Sequence, residues 1–133
     1  MVQSTHIFVY GTLRSDARHK AHGYIERYFS LVGKAAVRGK LYDAVEYPAG
    51  VPTNDESSIV GELYVIKNIE EFEKAMHVLD EYEGSYDGPS LFRRELIEVL
   101  VNEEKVKAWI YWYNRPVTGM RWIASGDFLQ PDF

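Results

Sequence analysis

Two places in the chain carry residue types that could do chemistry: a carboxylate on an otherwise apolar helical stripe, and a glycine loop that closes a strand. Ile69, Phe72, Met76 and Leu79 recur at three- and four-residue spacing, which puts them on one face of a helix. The next position on that face holds Glu83 instead of another apolar residue, whereas Glu81 projects the other way. A carboxylate facing a core needs a partner or a task. Burial, the negative end of the helix dipole and the neighbouring Asp80 and Glu81 are each expected to raise its pKa from about 4.3, toward the range of a general base near neutral pH. A second reading puts Glu83 in the following loop, salt-bridged to Arg93 or Arg94; the helical stripe alone leaves both open.

The glycine loop is Val9-Tyr10-Gly11-Thr12-Leu13-Arg14. A glycine followed by turning residues can leave several backbone N–H groups pointing at one anion. Further along, Trp109, Tyr111 and Tyr113 alternate along a strand, a stripe that reads as barrel core, with Tyr113 at the strand end as a pocket residue. His6, His19, His22 and His77 show no zinc-site spacing, so no metal site is expected. Arg93 and Arg94 read as solvated or paired with strand neighbours. There is no cysteine, hence no disulfide and no thiolate nucleophile, and no Ser-His-Asp set is visible.

The elements that must position these residues follow from periodicity and punctuation. Thr5 to Tyr10 is β-branched and aromatic and reads as a buried strand stopped by Gly11. Ser15 or Asp16 can cap a helix carrying Ala17, Ala21, Tyr24, Ile25, Tyr28 and Phe29 at helical spacing, which Gly23 weakens. Gly33 to Asp43 reads as a strand bent at Gly39, Ala44 to Ser57 as a long exposed loop, and Ser58 to Ile66 as a strand with Ile59, Gly61, Leu63 and Val65 on one side. Asn68 as N-cap, Glu71 three residues on and Gly84 as terminator bound a helix over about 69–83. Phe92 to Val101 and Lys105 to Tyr113 form a β-hairpin through Asn102, Glu103 and Glu104, and the tail after Pro116 reads as irregular. Many strands and two helices without βαβ alternation indicate an α+β fold with a curved or barrel-like sheet.

Composition narrows the functional classes. A chain of 133 residues with 46% hydrophobic and 26% charged residues suits a single packed domain over 1–133. Its formal net charge of -5, with Lys and Arg scattered, argues against nucleic acid and anionic membrane as partners. No signal peptide or membrane-spanning run is evident, so a cytoplasmic location is expected. Oligomeric state is not encoded in any feature above.

Tyr10-Gly11-Thr12-Leu13 resembles the YGSL/YGTL signature of γ-glutamyl cyclotransferase-like proteins, which include γ-glutamylamine cyclotransferase. Leu79, Asp80, Glu83 and Gly84 match a second motif of the form Leu-Asp-x-x-Glu-Gly. The resemblance runs from Ile7 to about Phe128, through Gly39-Lys40-Leu41-Tyr42, Gly61-Glu62-Leu63-Tyr64, Ala108-Trp109-Ile110-Tyr111 and Ser125-Gly126-Asp127-Phe128. It departs at Ser15-Asp16-Ala17, where many members carry a glycine and an asparagine, so the pocket rim and the leaving group are not set by it. The resemblance implies a small mixed β-barrel flanked by two main helices, with the loop and the helix-end glutamate facing each other across a cavity. It also implies intramolecular aminolysis of a γ-glutamyl compound to 5-oxoproline, with Glu83 as acid/base. The N–H groups of Gly11, Thr12 and Leu13 would hold the substrate's anionic end, with Tyr10 beside it and no cofactor required. A non-catalytic small-molecule-binding protein of the same fold is the alternative, and an acyl-transferring or hydrolysing enzyme ranks third.

Overall fold

The first strand, β1 (His6–Val9), buries its last three residues, as a strand covered on both faces must. In the computed structural model, which describes residues 4–17, 20–45, 47–82 and 91–131, β1 is one stave of a closed five-stranded barrel. The others are β2 (Phe29–Arg38), β5 (Ser58–Ile66), β6 (Phe92–Val101) and β7 (Glu104–Tyr113), in the order β1-β5-β2-β6-β7. Every pairing is antiparallel except the closing one, where Ile7 lies parallel to Trp109. Closure removes exposed sheet edges and makes the barrel mixed. A smaller sheet, β4 (Pro48–Val51), β3 (Lys40–Asp43) and β8 (Arg121–Trp122), is built in the order β4-β3-β8.

Alternation along the strands divides the core in two. Phe8, Tyr10, Leu63, Ile110 and Trp112 belong to one cluster, whereas Ile7, Val9, Tyr64 and Tyr111 belong to the other, beneath the helices. That second cluster receives Ile25 and Tyr28 from α1 (His22–Tyr28) and Phe72, Ala75, Met76 and Leu79 from α2 (Phe72–Tyr82). The α+β barrel with two main helices is thus the architecture found.

Several local expectations are corrected. Helix α1 begins at His22 with no side-chain cap at Ala21, because Ser15–Ala17 forms a separate 3-10 turn and the Ser15 hydroxyl is engaged by Glu62. Phe29 opens β2, opposite Ile66, so the strand starts four residues before Gly33. Gly39 sits between β2 and β3, where an added Cβ would lie 2.8 Å from Ile59 Cδ1 and 3.0 Å from the Val51 carbonyl. The stretch expected as loop contains β4, and the tail contains β8, both held by pairing to β3. Asn68 Oδ1 accepts the Glu70 N–H at 3.0 Å, but it caps a 3-10 turn (Ile69–Glu71) that precedes α2. That turn breaks the 3.6-residue register and leaves Ile69 exposed, so the buried stripe starts at Phe72. In the hairpin β7 begins at Glu104, and Asn102 and Glu103 form the turn, both at positive φ, as two-residue hairpins require.

Candidate functional site

The end of β1, the end of α2 and the starts of β4 and β6 converge on a cavity of about 300 Å³. Tyr10, Gly11, Thr12 and Leu13 all line it, together with Tyr47, Pro48, Tyr82, Leu91, Phe92 and Tyr111. The wall is therefore largely aromatic, and among the described residues none of its members carries a full charge. Such a lining binds an organic molecule through a few polar groups set in an apolar surface.

Each polar group of the loop has a traceable position. The Tyr10 hydroxyl donates to the Tyr111 carbonyl at 2.5 Å, tying the motif tyrosine to β7. The turn closes through the Arg14 N–H donating to the Gly11 carbonyl at 3.1 Å. Thr12 Oγ1 and the Tyr82 hydroxyl are hydrogen-bonded at 2.6 Å, joining the loop to the last turn of α2. Among the described residues, no acceptor is found for the N–H groups of Gly11, Thr12 or Leu13. Gly11 is required for space and not for an unusual backbone angle. An added Cβ would lie 2.9 Å from Pro48 Cγ on the cavity wall.

The Tyr10–Leu13 segment and Tyr82 are thus brought together. Glu83 and Gly84, the other half of the second motif, lie outside the described residues. Tyr113 packs on Tyr47 and Phe92, with ring centroids 6.2 and 5.6 Å away, and is not itself among the described lining residues. Tyr111, two residues earlier and expected as barrel core, is the β7 tyrosine on the wall.

Arg14, Glu62, Asp80 and Asp127 stand in the motif stretches but are not among the site residues expected from sequence; each is bonded to the loop or the cavity wall, or supports a residue that is. Asp80 is buried and accepts the Tyr111 hydroxyl at 2.6 Å, with Arg94 Nη2 at 3.4 Å from its other oxygen. Arg94 in turn lies over the Trp109 ring, and Arg93 pairs with its strand neighbour Glu95. Arg14 is only 1% exposed and points away from the cavity, its guanidinium forked onto Asp16 at 2.9 and 2.7 Å and bound to Asp127 at 2.8 Å. Hydrogen bonding from Arg14 holds the Asp16 carboxyl below the usual carboxylate range. Glu62, also buried, accepts the Ser15 N–H at 2.6 Å, the Ser15 hydroxyl at 2.5 Å and the Tyr64 hydroxyl at 3.0 Å. Burial, and next the Glu62 charge, push the Tyr64 phenol well up, which keeps it a donor. The sequence signals for Glu62 are its place in the Gly61-Glu62-Leu63-Tyr64 stretch and its alternation away from the Ile59–Leu63 side of β5. Among the described residues no three His, Cys, Asp or Glu side chains are grouped to hold a metal. None of the helices described is long and apolar enough to cross a membrane.

The family model described as "Gamma-glutamyl cyclotransferase, AIG2-like" matches residues 7–130. The chain is similar to the Escherichia coli K12 gamma-glutamylcyclotransferase family protein YtfP, at 34% identity over 95% of this chain and 97% of that one. The solution structure of the E. coli ytfP protein superposes with a TM-score of 0.64, at 31% identity over 94% of this chain and 96% of that one. A Niallia circulans protein named gamma-L-glutamyl-butirosin B gamma-glutamyl cyclotransferase is 38% identical over 82% of this chain and 67% of its own length. The crystal structure of YkqA from Bacillus subtilis gives a TM-score of 0.70 at 27% identity, and this chain spans 94% of its own length but 39% of that protein.

Proposed function

Because the chain belongs to the γ-glutamyl cyclotransferase, AIG2-like family, we propose that it cleaves a γ-glutamyl compound by intramolecular aminolysis, releasing 5-oxoproline and a free amine or amino acid. The observation that carries this reading is the cavity into which the Tyr10–Leu13 loop and the C-terminal end of α2 both reach, linked by the Thr12–Tyr82 hydrogen bond. Glu83 directly follows Tyr82 in the chain and is the proposed acid/base.

In the proposed reaction the substrate's α-ammonium gives a proton to Glu83, and the resulting amine attacks the γ-carbonyl carbon of the same molecule. The new N–C bond closes a five-membered ring. The γ-amide C–N bond breaks as Glu83 gives this proton to the departing nitrogen, and the second proton, lost from the attacking nitrogen as it becomes the lactam N–H, also ends on the released amine. Ring closure already supplies proximity, so the protein has mainly to fold the substrate and move the proton. The N–H groups of Gly11, Thr12 and Leu13 are proposed to hold the anionic end, for which the described lining offers no cation. The scheme uses no metal and no organic cofactor.

A second reading is a binding protein with the same cavity, since a shared fold does not by itself establish turnover. Detection of 5-oxoproline by mass spectrometry decides between them, using a panel of γ-glutamyl amines, γ-glutamyl amino acids, γ-glutamyl-ε-lysine and glutathione. Product from any member supports the cyclotransferase; binding without product from every member supports the second reading.

A further inference from the structure

Besides its bonds to the wall residues Tyr111 and Tyr82, the loop that lines the cavity is held from behind. On its far side, Leu13 presents its carbonyl to His22 Nδ1 at 2.8 Å, Arg14 is bound by Asp16 and Asp127, and Ser15 gives both its N–H and its hydroxyl to Glu62. Of these anchors Glu62 stands out chemically. It is 3% exposed, it lies on β5 47 residues away in sequence, and its oxygens take three neutral donors, with no cation paired to it among the described residues. Burying a carboxylate in this way is unfavourable unless its lone pairs are filled, and here two of the three donors come from Ser15 of the loop and the third from Tyr64 on β5. Asp127 adds a second tether. The turn bearing it is fixed by the Gly126 carbonyl accepting the Val60 N–H at 2.8 Å, and at Gly126, with φ +72°, a Cβ would lie 2.0 Å from the Ser58 carbonyl oxygen.

We infer that Glu62 is a positioning residue for the substrate-holding loop, setting the backbone of Gly11–Leu13 through Ser15, and that the Ser125–Asp127 turn is a second support acting through Arg14. Neither Glu62 nor Arg14 nor Asp127 lines the cavity, so their effect reaches the substrate only through the loop. The inference rests on the cyclotransferase reading above. A loop that binds the anionic end equally in ground and transition states affects KM and leaves kcat largely alone. Loss of global structure does the opposite, since a smaller folded fraction lowers apparent kcat at unchanged KM.

The test compares wild type with Glu62→Leu, Glu62→Gln and Arg14→Lys, using the γ-glutamyl compound of the panel that wild type turns over best. Affinity for 5-oxo-L-proline, read by NMR chemical-shift titration, is the second readout. Glu62→Leu removes every acceptor for Ser15 and is expected to raise KM and weaken 5-oxo-L-proline binding about ten-fold. Glu62→Gln keeps one acceptor oxygen, and its amide can donate to a rotated Ser15 hydroxyl, so it is expected to recover part of that loss. Arg14→Lys loses the planar fork onto Asp16 and is expected to raise KM in the same direction, which keeps the test decisive if Glu62→Leu does not fold. Unchanged KM and 5-oxo-L-proline affinity in the folded variants, with wild type active, overturn the positioning role alone. No 5-oxoproline from wild type with any panel member overturns the underlying reading, and the inference with it.

Discussion

The hydroxyl of Tyr111 donates to Oδ1 of Asp80 at 2.6 Å, and the same Tyr111 accepts the Tyr10 hydroxyl on its carbonyl. One tyrosine on the cavity wall therefore couples the last turn of α2 to the motif residue at the end of β1. Tyr82 makes a second link between that turn and the loop, through Thr12. The end of α2 is pinned on both sides of the cavity, immediately before the proposed acid/base residue.

Asp80→Asn is accordingly expected to disturb both stability and turnover. The amide can still accept from Tyr111, but it loses the charge facing Arg94 and places an N–H₂ in a buried acceptor site. Disrupting a buried hydrogen-bonded acceptor costs about 1–3 kcal/mol. Thermal melting and 5-oxoproline release measured together check this, and an Asp80→Asn protein with wild-type values for both would refute the linkage.

At Gly11 the expected effect is local. A methyl group there meets Pro48 at 2.9 Å, and the proline ring sits on β4, where Pro48 is paired with Asp43, so it cannot yield as a flexible side chain would. Overpacking of this kind costs about 1–3 kcal/mol, and relief by shifting Pro48 distorts the cavity wall. Gly11→Ala should therefore lower the melting temperature and raise KM several-fold. Steady-state kinetics that match wild type would show that the wall has more room than the backbone implies.

How much of this was legible beforehand depends on how local each determinant is. The α2 stripe of Phe72, Met76 and Leu79, the hairpin, and the loop at Gly11 are written in neighbouring residues, and they sit where periodicity and turn chemistry put them. Ile69 and Phe29 lie outside the helices in which periodicity places them, because an apolar residue one helical turn away fits a helix edge, a 3-10 turn or a strand start equally well. The short strands β4 and β8 exist through their pairing with β3, which no local pattern announces. The same is true of the charges behind the loop: Arg14 meets Asp127 across 113 residues and Ser15 meets Glu62 across 47. Tyr111 and Tyr113 share one face of β7 by alternation, and the strand pattern could not say which of them would reach the cavity.

Acid conditions should probe the exposed carboxylates in a definite direction. The Asp55 carboxyl is held down to about 2, first by the Ser57 N–H and then by Lys40 at 3.0 Å, and Asp16 is lowered by Arg14. A depressed carboxylate contributes its stability above the unfolded-state value of 3.8, and that contribution is lost as pH falls through the folded value. Asp55→Asn should thus flatten the decline in stability between pH 4 and 2, measured by denaturant unfolding at several pH values in that window. An unchanged slope would mean that Asp55 is as easily protonated folded as unfolded.

Glu83→Gln carries the most weight for function. The amide preserves side-chain shape but cannot cycle a proton between the substrate's α-ammonium and the departing nitrogen. General acid/base groups contribute about 10²–10⁴-fold, so kcat should fall by at least that order while substrate binding persists. Removing a negative charge where the helix dipole is itself negative should leave stability equal or slightly higher. A salt bridge from Glu83 to an arginine predicts the reverse, with lower stability and near-normal kcat, and Arg93 and Arg94 already have Glu95 and Asp80 as partners. Glu81→Gln is the appropriate control, because Glu81 is exposed and pairs with the equally exposed His77 one turn earlier, an arrangement worth about 0–1 kcal/mol. Asp80 cannot serve that purpose, since it is buried against Tyr111. Melting temperature, substrate binding and 5-oxoproline release measured on Glu83→Gln and Glu81→Gln side by side decide the matter, and full turnover by the Glu83→Gln protein would end the mechanism proposed for this cavity.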